Sequence, residues 1–187
     1  MEILAPGVHR YRFEDATHCF DLIKQSELFK KGFTDYGRQT GGPTRVTSIL
    51  NPNIFQQEQH PTVFTAVSLC ENGIMPIIGE YQKYYLLEDL KKETEWLFMR
   101  YDAGDYFGVH KDEDPNYDRT LSVVAYLNDG YGGGEIEFPD FSLTIKPTSG
   151  DVLLFPSCFS YRHAVRRVTS GARYVVVNWF RFAGRTN

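Results

Sequence analysis

The chain has few cysteines, no large excess of either charge and no long apolar run, and each shortage removes a class of protein. Its three cysteines, Cys19, Cys70 and Cys158, are odd in number and far apart, so neither a disulfide framework nor a C-x-x-C zinc motif is implied. They read as buried, reduced thiols. A formal net charge of -4 over 187 residues leaves no broad basic field. Nucleic acid and an anionic membrane surface are therefore not expected partners, and Arg162, Arg166 and Arg167 form only a local basic group. No apolar stretch approaches the length that spans a bilayer. Residues Met1 to Gly7 lack the basic and apolar regions of a secretory leader, so a cytoplasmic setting is the expectation. Repeats, low-complexity tracts and linkers are also missing.

What the chain does have is aromatic bulk. Fourteen Phe and twelve Tyr suit packed β-structure better than a helical bundle, and the length suits one domain spanning 1–187. Helical support is expected over about residues 1–94 and a β-core over about 95–182. Apolar positions at Cys19, Phe20, Ile23 and Leu28 predict a helix from Asp15 to Lys31, with Asp15 as its cap and Gly32 as its stop. Pro61 opens a second helix to about Cys70, carrying Val63, Phe64 and Val67 on its apolar side, with Gly73 beyond its end. Between them, Thr34 to Pro43 is a Gly- and Pro-rich loop of the kind that lines a pocket mouth. Tyr84 to Leu87 reads as strand and Glu88 to Glu93 as helix or turn, so that junction stays open. After Glu95 the pattern is β: Trp96 to Tyr101, Thr120 to Leu127, Glu135 to Phe138, Leu143 to Ile145, Val152 to Phe155 and Arg173 to Phe180. Asn128 to Gly134 is a flexible turn. Strands this closely spaced suit a sandwich or barrel.

Two features of that region carry chemistry. His110 and Asp112 are two residues apart, so an extended strand would turn both to one face, where they can converge on a metal ion. His163 is the candidate for a second imidazole. In the last strand, alternation puts Arg173, Val175, Val177 and Trp179 on one face. A cation in an apolar row is costly to bury without an anion, which points to a carboxylate ligand. A turn at Thr169 to Gly171 would let His163 and Arg173 face one cavity from neighbouring strands. The remaining histidines, His9, His18 and His60, read as ordinary core or surface residues, and Glu113 and Asp114 as a solvated loop. Gly132 to Gly134 lacks the strand–turn–helix setting of a phosphate loop and reads as a turn passing near the pocket.

The ordered set His110-x-Asp112, His163, Arg173 resembles the Fe(II)- and 2-oxoglutarate-dependent dioxygenases of the prolyl 4-hydroxylase-like group, over roughly Trp96 to Phe180. Supporting matches are Arg100-Tyr101-x-x-Gly104, Tyr126-Leu127-Asn128, Gly133-Gly134-Glu135, and Lys146-Pro147-x-x-Gly150-Asp151 leading to Phe155-Pro156. The resemblance implies a mainly β fold, a double-stranded β-helix or jelly roll with supporting N-terminal helices. It implies that His110, Asp112 and His163 bind iron and that Arg173 pairs with the distal carboxylate of 2-oxoglutarate. Tyr126 and Tyr101 look like co-substrate contacts, and Trp179 and Arg100 are the candidates for substrate contact. The implied cofactors are Fe(II), 2-oxoglutarate and O2, with ascorbate as a family-level addition. The implied reaction hydroxylates an unactivated C–H bond and releases succinate and CO2; a small residue in place of Asp112 would instead leave room for a halide. The substrate would be a prolyl or similar residue of a peptide or protein, or a free amino acid or small metabolite. The loop Thr34 to Pro43 and the segment Asp114 to Arg119 are candidates for gripping it. A rival reading is a non-catalytic jelly-roll module that binds zinc through the same three ligands. Metal-assisted hydrolysis is a second rival, for which no additional general base is evident.

Overall fold

Period-two alternation of apolar side chains builds most of this molecule into sheet. The computed structural model describes residues 1–34, 44–114, 116 and 118–184. Apart from Thr34, the loop expected up to Pro43 lies outside the described residues. In chain order the elements are β1 (Glu2–Ala5), β2 (Val8–Arg12), α1 (Ala16–Ile23), β3 (Lys30–Thr34), β4 (Arg45–Leu50), α2 (Pro61–Tyr84) and β5 (Leu90–Lys92). There follow β6 (Leu97–Asp102), β7 (Tyr106–His110), β8 (Leu121–Tyr126), β9 (Gly132–Gly133), β10 (Ile136–Phe138), β11 (Leu143–Ile145) and β12 (Asp151–Pro156). The last three strands are β13 (His163–Val165), β14 (Val168–Ser170) and β15 (Ala172–Phe182).

One antiparallel sheet runs β1-β2-β12-β8-β15-β6-β4-β7-β13-β10-β11, with β3 beside β4 and β5 beside β15. Because β4 pairs with both β6 and β7, the sheet folds over there into two layers, β1-β2-β12-β8-β15-β6 and β7-β13-β10-β11. This is the jelly roll. The two faces of the first layer bury different sets. Val176 and Phe180 of β15, Leu121, Val123 and Ala125 of β8, and Val152 and Leu154 of β12 pack toward the helices. Val175 and Val177 of β15, Val124 and Tyr126 of β8, and Leu153 and Phe155 of β12 face the interior between the layers.

Both predicted helices end elsewhere than expected. α1 stops at Ile23, and Asp15 makes no side-chain cap bond. The chain turns at Ser26, whose hydroxyl accepts the Leu28 amide, and Phe29 then packs edge-on against Tyr174 before β3 pairs with β4. α2 instead continues through Gly73 and Pro76 to Tyr84. A helix-interior glycine costs about 1 kcal/mol and a proline about 3. Four further buried side chains on the same stripe, Ile74, Ile77, Ile78 and Tyr81, return about 1.5–3 kcal/mol each. Burial therefore outweighs the two breakers. α2 is long and apolar enough by composition to cross a membrane, but this stripe is covered by the sheet. At the open junction, Tyr84 closes α2, Leu86 takes a positive φ of 53° and β5 follows. The division at about residue 95 also needs correction. The segment before it supplies five strands as well as both helices, and their mixed polar and apolar residues concealed the alternation.

Candidate metal centre

His110 closes β7 and His163 opens β13, and the two residues are direct partners in the antiparallel ladder, with ring centroids 4.2 Å apart. Asp112 lies in a bend just beyond β7 rather than in a strand as expected. The bend brings its carboxylate back to the rings: Oδ1 is 3.5 Å from His110 Nε2 and Oδ2 is 3.7 Å from His163 Nε2. One ligand atom from each of the three residues lies within 4.8 Å of the others. The opposite ring nitrogens explain why both Nε2 atoms face inward. His110 Nδ1 is 2.9 Å from the Gly108 carbonyl and His163 Nδ1 is 3.1 Å from the Tyr161 carbonyl. A carbonyl only accepts, so each Nδ1 carries the proton and each Nε2 presents a lone pair to the centre. Phe107 stacks on His110 at 3.4 Å, and Phe155 stands edge-on to His163. Burial lowers the His163 pKa to about 4, with His110 adding to the effect. Burial pushes Asp112 up, yet His163 and His110 outweigh it and hold the carboxyl well below the usual range. A neutral imidazole and an ionised carboxylate near pH 7 are the states a metal ligand needs.

A cavity of about 320 Å³ reaches from these ligands to Arg173. Arg173 is 1% exposed, and among the described residues no carboxylate lies within salt-bridge distance of it. Its Nε and Nη1 have no hydrogen-bond acceptor there. The guanidinium sits 4.8 Å from the Tyr101 ring and 4.9 Å from the Tyr126 ring. The buried hydroxyls of Tyr126 and Tyr131 also lack partners among the described residues. Burial raises the pKa of all three phenols and Arg173 pulls it back, with burial prevailing. The neutral phenols of Tyr126 and Tyr131 beside that cation are donors with no acceptor among the described residues, whereas the Tyr101 hydroxyl donates to Met99 Sδ. A bound carboxylate would satisfy Arg173, Tyr126 and Tyr131 together.

The positions of the other candidates differ. Val175, Val177 and Trp179 line the cavity with Arg173, as the alternation predicts. His163 and Arg173 share the cavity, but from opposite layers rather than neighbouring strands, because β13 pairs with β7 and β10 while β15 pairs with β6, β8 and β5. Arg100 does not line it. Being next to inward-facing Tyr101, its side chain turns outward to the Phe29 ring and to Asp102, with Nε 3.2 Å from the carboxylate. Arg119, which the sequence marks only as the end of the segment Asp114 to Arg119, lays its guanidinium 4.0 Å over Trp179 and grips Glu93. Tyr131 was hidden inside a presumed flexible turn. Gly134, beside it, fits the close approach expected of that turn: a Cβ there would lie 3.1 Å from Arg173 Cδ.

Comparison with known proteins supplies the family. The family model described as 2OG-Fe(II) oxygenase superfamily matches residues 96–181. A PKHD-type hydroxylase of Maricaulis maris is 30% identical over 174 residues, covering 90% of this chain and 73% of that protein. The chain belongs to the 2OG-Fe(II) oxygenase superfamily. Other matches are shorter. A PKHD-type hydroxylase of Rippkaea orientalis is 35% identical over 98 residues, and a relative from Acanthamoeba polyphaga mimivirus is 30% identical over 103; each match covers 43% of the relative's length. Among solved structures, a viral collagen prolyl hydroxylase from Paramecium bursaria Chlorella virus-1 aligns with a TM-score of 0.69 at 20% identity over 95% of this chain and 97% of that one. A prolyl hydroxylase from Trichoplax adhaerens, in complex with a peptide fragment, gives 0.70 at 19% identity over 93% and 83%. Those likenesses concern the fold. Membership of the superfamily implies Fe(II), 2-oxoglutarate and O2 for the oxygenase, and both halves of its cavity suit them: a convergent N, O, N donor set at one end and, at the other, a buried cation with no carboxylate partner among the described residues.

Proposed function

We propose that this oxygenase hydroxylates an unactivated C–H bond, with His110, Asp112 and His163 holding Fe(II) and Arg173 holding the distal carboxylate of 2-oxoglutarate. Arg173 carries the reading: a fully buried guanidinium with no anionic partner among the described residues, in the same cavity as a metal-ligand triad, suits a dicarboxylate co-substrate. A structural zinc site would have no use for it. When bound, the iron and 2-oxoglutarate supply the oxidation, using O2 and releasing succinate and CO2.

The chain's own groups divide the remaining work. Gly108 and Tyr161 carbonyls fix the imidazole tautomers and rotations. The Tyr126 and Tyr131 hydroxyls donate to the carboxylate beside Arg173. Aliphatic Val175 and Val177 with Trp179 exclude water along one wall. The substrate is a prolyl or similar residue in a peptide or protein, with a free amino acid as the narrower alternative. This is supported by the names of the relatives, hydroxylases of the PKHD type, and by prolyl hydroxylases among the structural neighbours. A single domain, ascorbate as the reductant that keeps iron ferrous, and a reducing cytoplasmic setting belong to the same reading. Three free cysteines support the last of these.

The test is succinate formation from 2-oxoglutarate in air with added Fe(II), without substrate and then with proline-containing peptides or free proline. Formation that His110→Ala abolishes and that Arg173→Ala restores only at much higher 2-oxoglutarate supports the reading. Absence of succinate with every substrate class, in protein that retains metal, would remove it.

A further inference from the structure

We infer that Glu93 is a positioning residue for the metal centre, acting through Arg119 by keeping that guanidinium off the Asp112 carboxylate. The inference rests on the metal-ligand reading above, but not on the family match, which begins three residues later at residue 96.

Arg119 Nε and Nη2 donate to the two oxygens of Glu93 at 2.6 and 2.7 Å, a bidentate pair in which both side chains are largely buried. Nη1 donates to the backbone carbonyl of Asp112 at 3.1 Å, and the face of the guanidinium lies 4.0 Å over Trp179. Glu93 is itself fixed, because its amide donates to the Trp179 carbonyl at 2.9 Å. A guanidinium is planar, so holding two of its nitrogens sets the plane and aims the third. Glu93 thereby decides that Arg119 meets the carbonyl of Asp112 rather than its carboxylate.

The charge balance points the same way. After Glu93, the anions that act on Arg119 include Asp112 and Asp114. With the Glu93 charge removed, the Asp112 carboxylate becomes a competing partner for this largely buried cation, and that pairing competes directly with a metal ion for its oxygens. Glu93 both orients the ligand loop and neutralises the nearest competitor for its ligand.

Cobalt(II) titration of the metal-free protein, followed by absorbance, tests this without turnover. Relative to wild type, Glu93→Gln should bind Co(II) about 10- to 100-fold more weakly, the range typical of lost outer-sphere support. Glu93→Asp, which keeps the charge but shortens the reach, should fall between and covers the case in which Glu93→Gln does not fold. The double variant Glu93→Gln/Arg119→Gln should bind more tightly than Glu93→Gln alone, because the competing cation is gone; a merely structural role gives no such rescue. Unchanged affinity in both Glu93 variants, or a double variant no better than the single, overturns the inference. Equal Co(II) binding by wild type and His110→Ala would instead remove the metal-centre reading, and the inference with it.

Discussion

Arg173 lies 4.9 Å from the ring centroid of Tyr126, yet the Tyr126 hydroxyl and two guanidinium nitrogens of Arg173 have no hydrogen-bond partner among the described residues. A buried cation in that state costs stability unless a ligand pairs with it. Its replacement separates stability from binding. Arg173→Met should leave the ligand-free protein as stable as wild type or more stable, by up to about 1–4 kcal/mol, because an uncompensated charge is removed. The same variant should lose the rise in Tm that 2-oxoglutarate gives the metal-loaded wild type. A marked fall in Tm without ligand, together with a preserved 2-oxoglutarate shift, would contradict both halves.

Tyr131 offers a milder version of the same separation. Among the described residues its hydroxyl has no hydrogen-bond partner at ordinary bonding distance, only the nearby Arg173 cation, so Tyr131→Phe should change stability by less than about 0.5 kcal/mol in denaturant unfolding. If the phenol donates to the co-substrate, KM for 2-oxoglutarate should rise about 5- to 10-fold at nearly constant kcat, the equivalent of one hydrogen bond of about 1–1.5 kcal/mol. An unaltered KM would leave Tyr131 as packing around Arg173.

These residues also mark how far the sequence could be read. Alternation along β15 was visible because strand geometry has a fixed period, and it correctly grouped Arg173 with Val175, Val177 and Trp179. The closeness of His110 and Asp112 was visible too, although a bend rather than a strand produces it. Helix ends were not: whether Gly73 and Pro76 stop α2 depends on how much sheet its later turns can cover, a tertiary quantity. Tyr131 was opaque for a related reason, since only the folded chain shows that its hydroxyl is buried beside a cation. Glu93 and Arg119 lie 26 positions apart with nothing local to link them.

His9 should give the acid side of the stability profile part of its slope. It is fully buried on β2 among Tyr11, Tyr81, Tyr84 and Tyr85, with Nε2 2.8 Å from the Tyr85 hydroxyl. Burial lowers its pKa from the usual 6.5, and the N-terminal amine adds to the effect. A depressed folded-state pKa means that the unfolded chain binds the extra proton first, so stability falls as pH drops below about 6.5. His9→Gln should flatten that limb by up to one proton, about 1.4 kcal/mol per pH unit, when unfolding free energies are compared between pH 7.5 and 5.5. Parallel profiles for the two proteins would show that His9 titrates alike in both states.

Two glycines of α2 should respond with opposite signs to the same substitution. Alanine favours a helix interior by about 1 kcal/mol over glycine, and at Gly79 a Cβ meets nothing within 4 Å. Gly79→Ala should therefore raise Tm by about 2–4 °C. At Gly73 the same Cβ would stand 2.4 Å from Phe13 Cε2 and 2.6 Å from Cδ2. Phe13 cannot retreat easily: it is 2% exposed within the helix-side core, and its amide donates to the Gly150 carbonyl at 2.7 Å. Overpacking of about 1–3 kcal/mol then exceeds the propensity gain, and Gly73→Ala should lower Tm. Thermal unfolding of the two variants beside wild type decides the matter, and a stabilised Gly73→Ala would mean that the Phe13 ring has room the packing does not show.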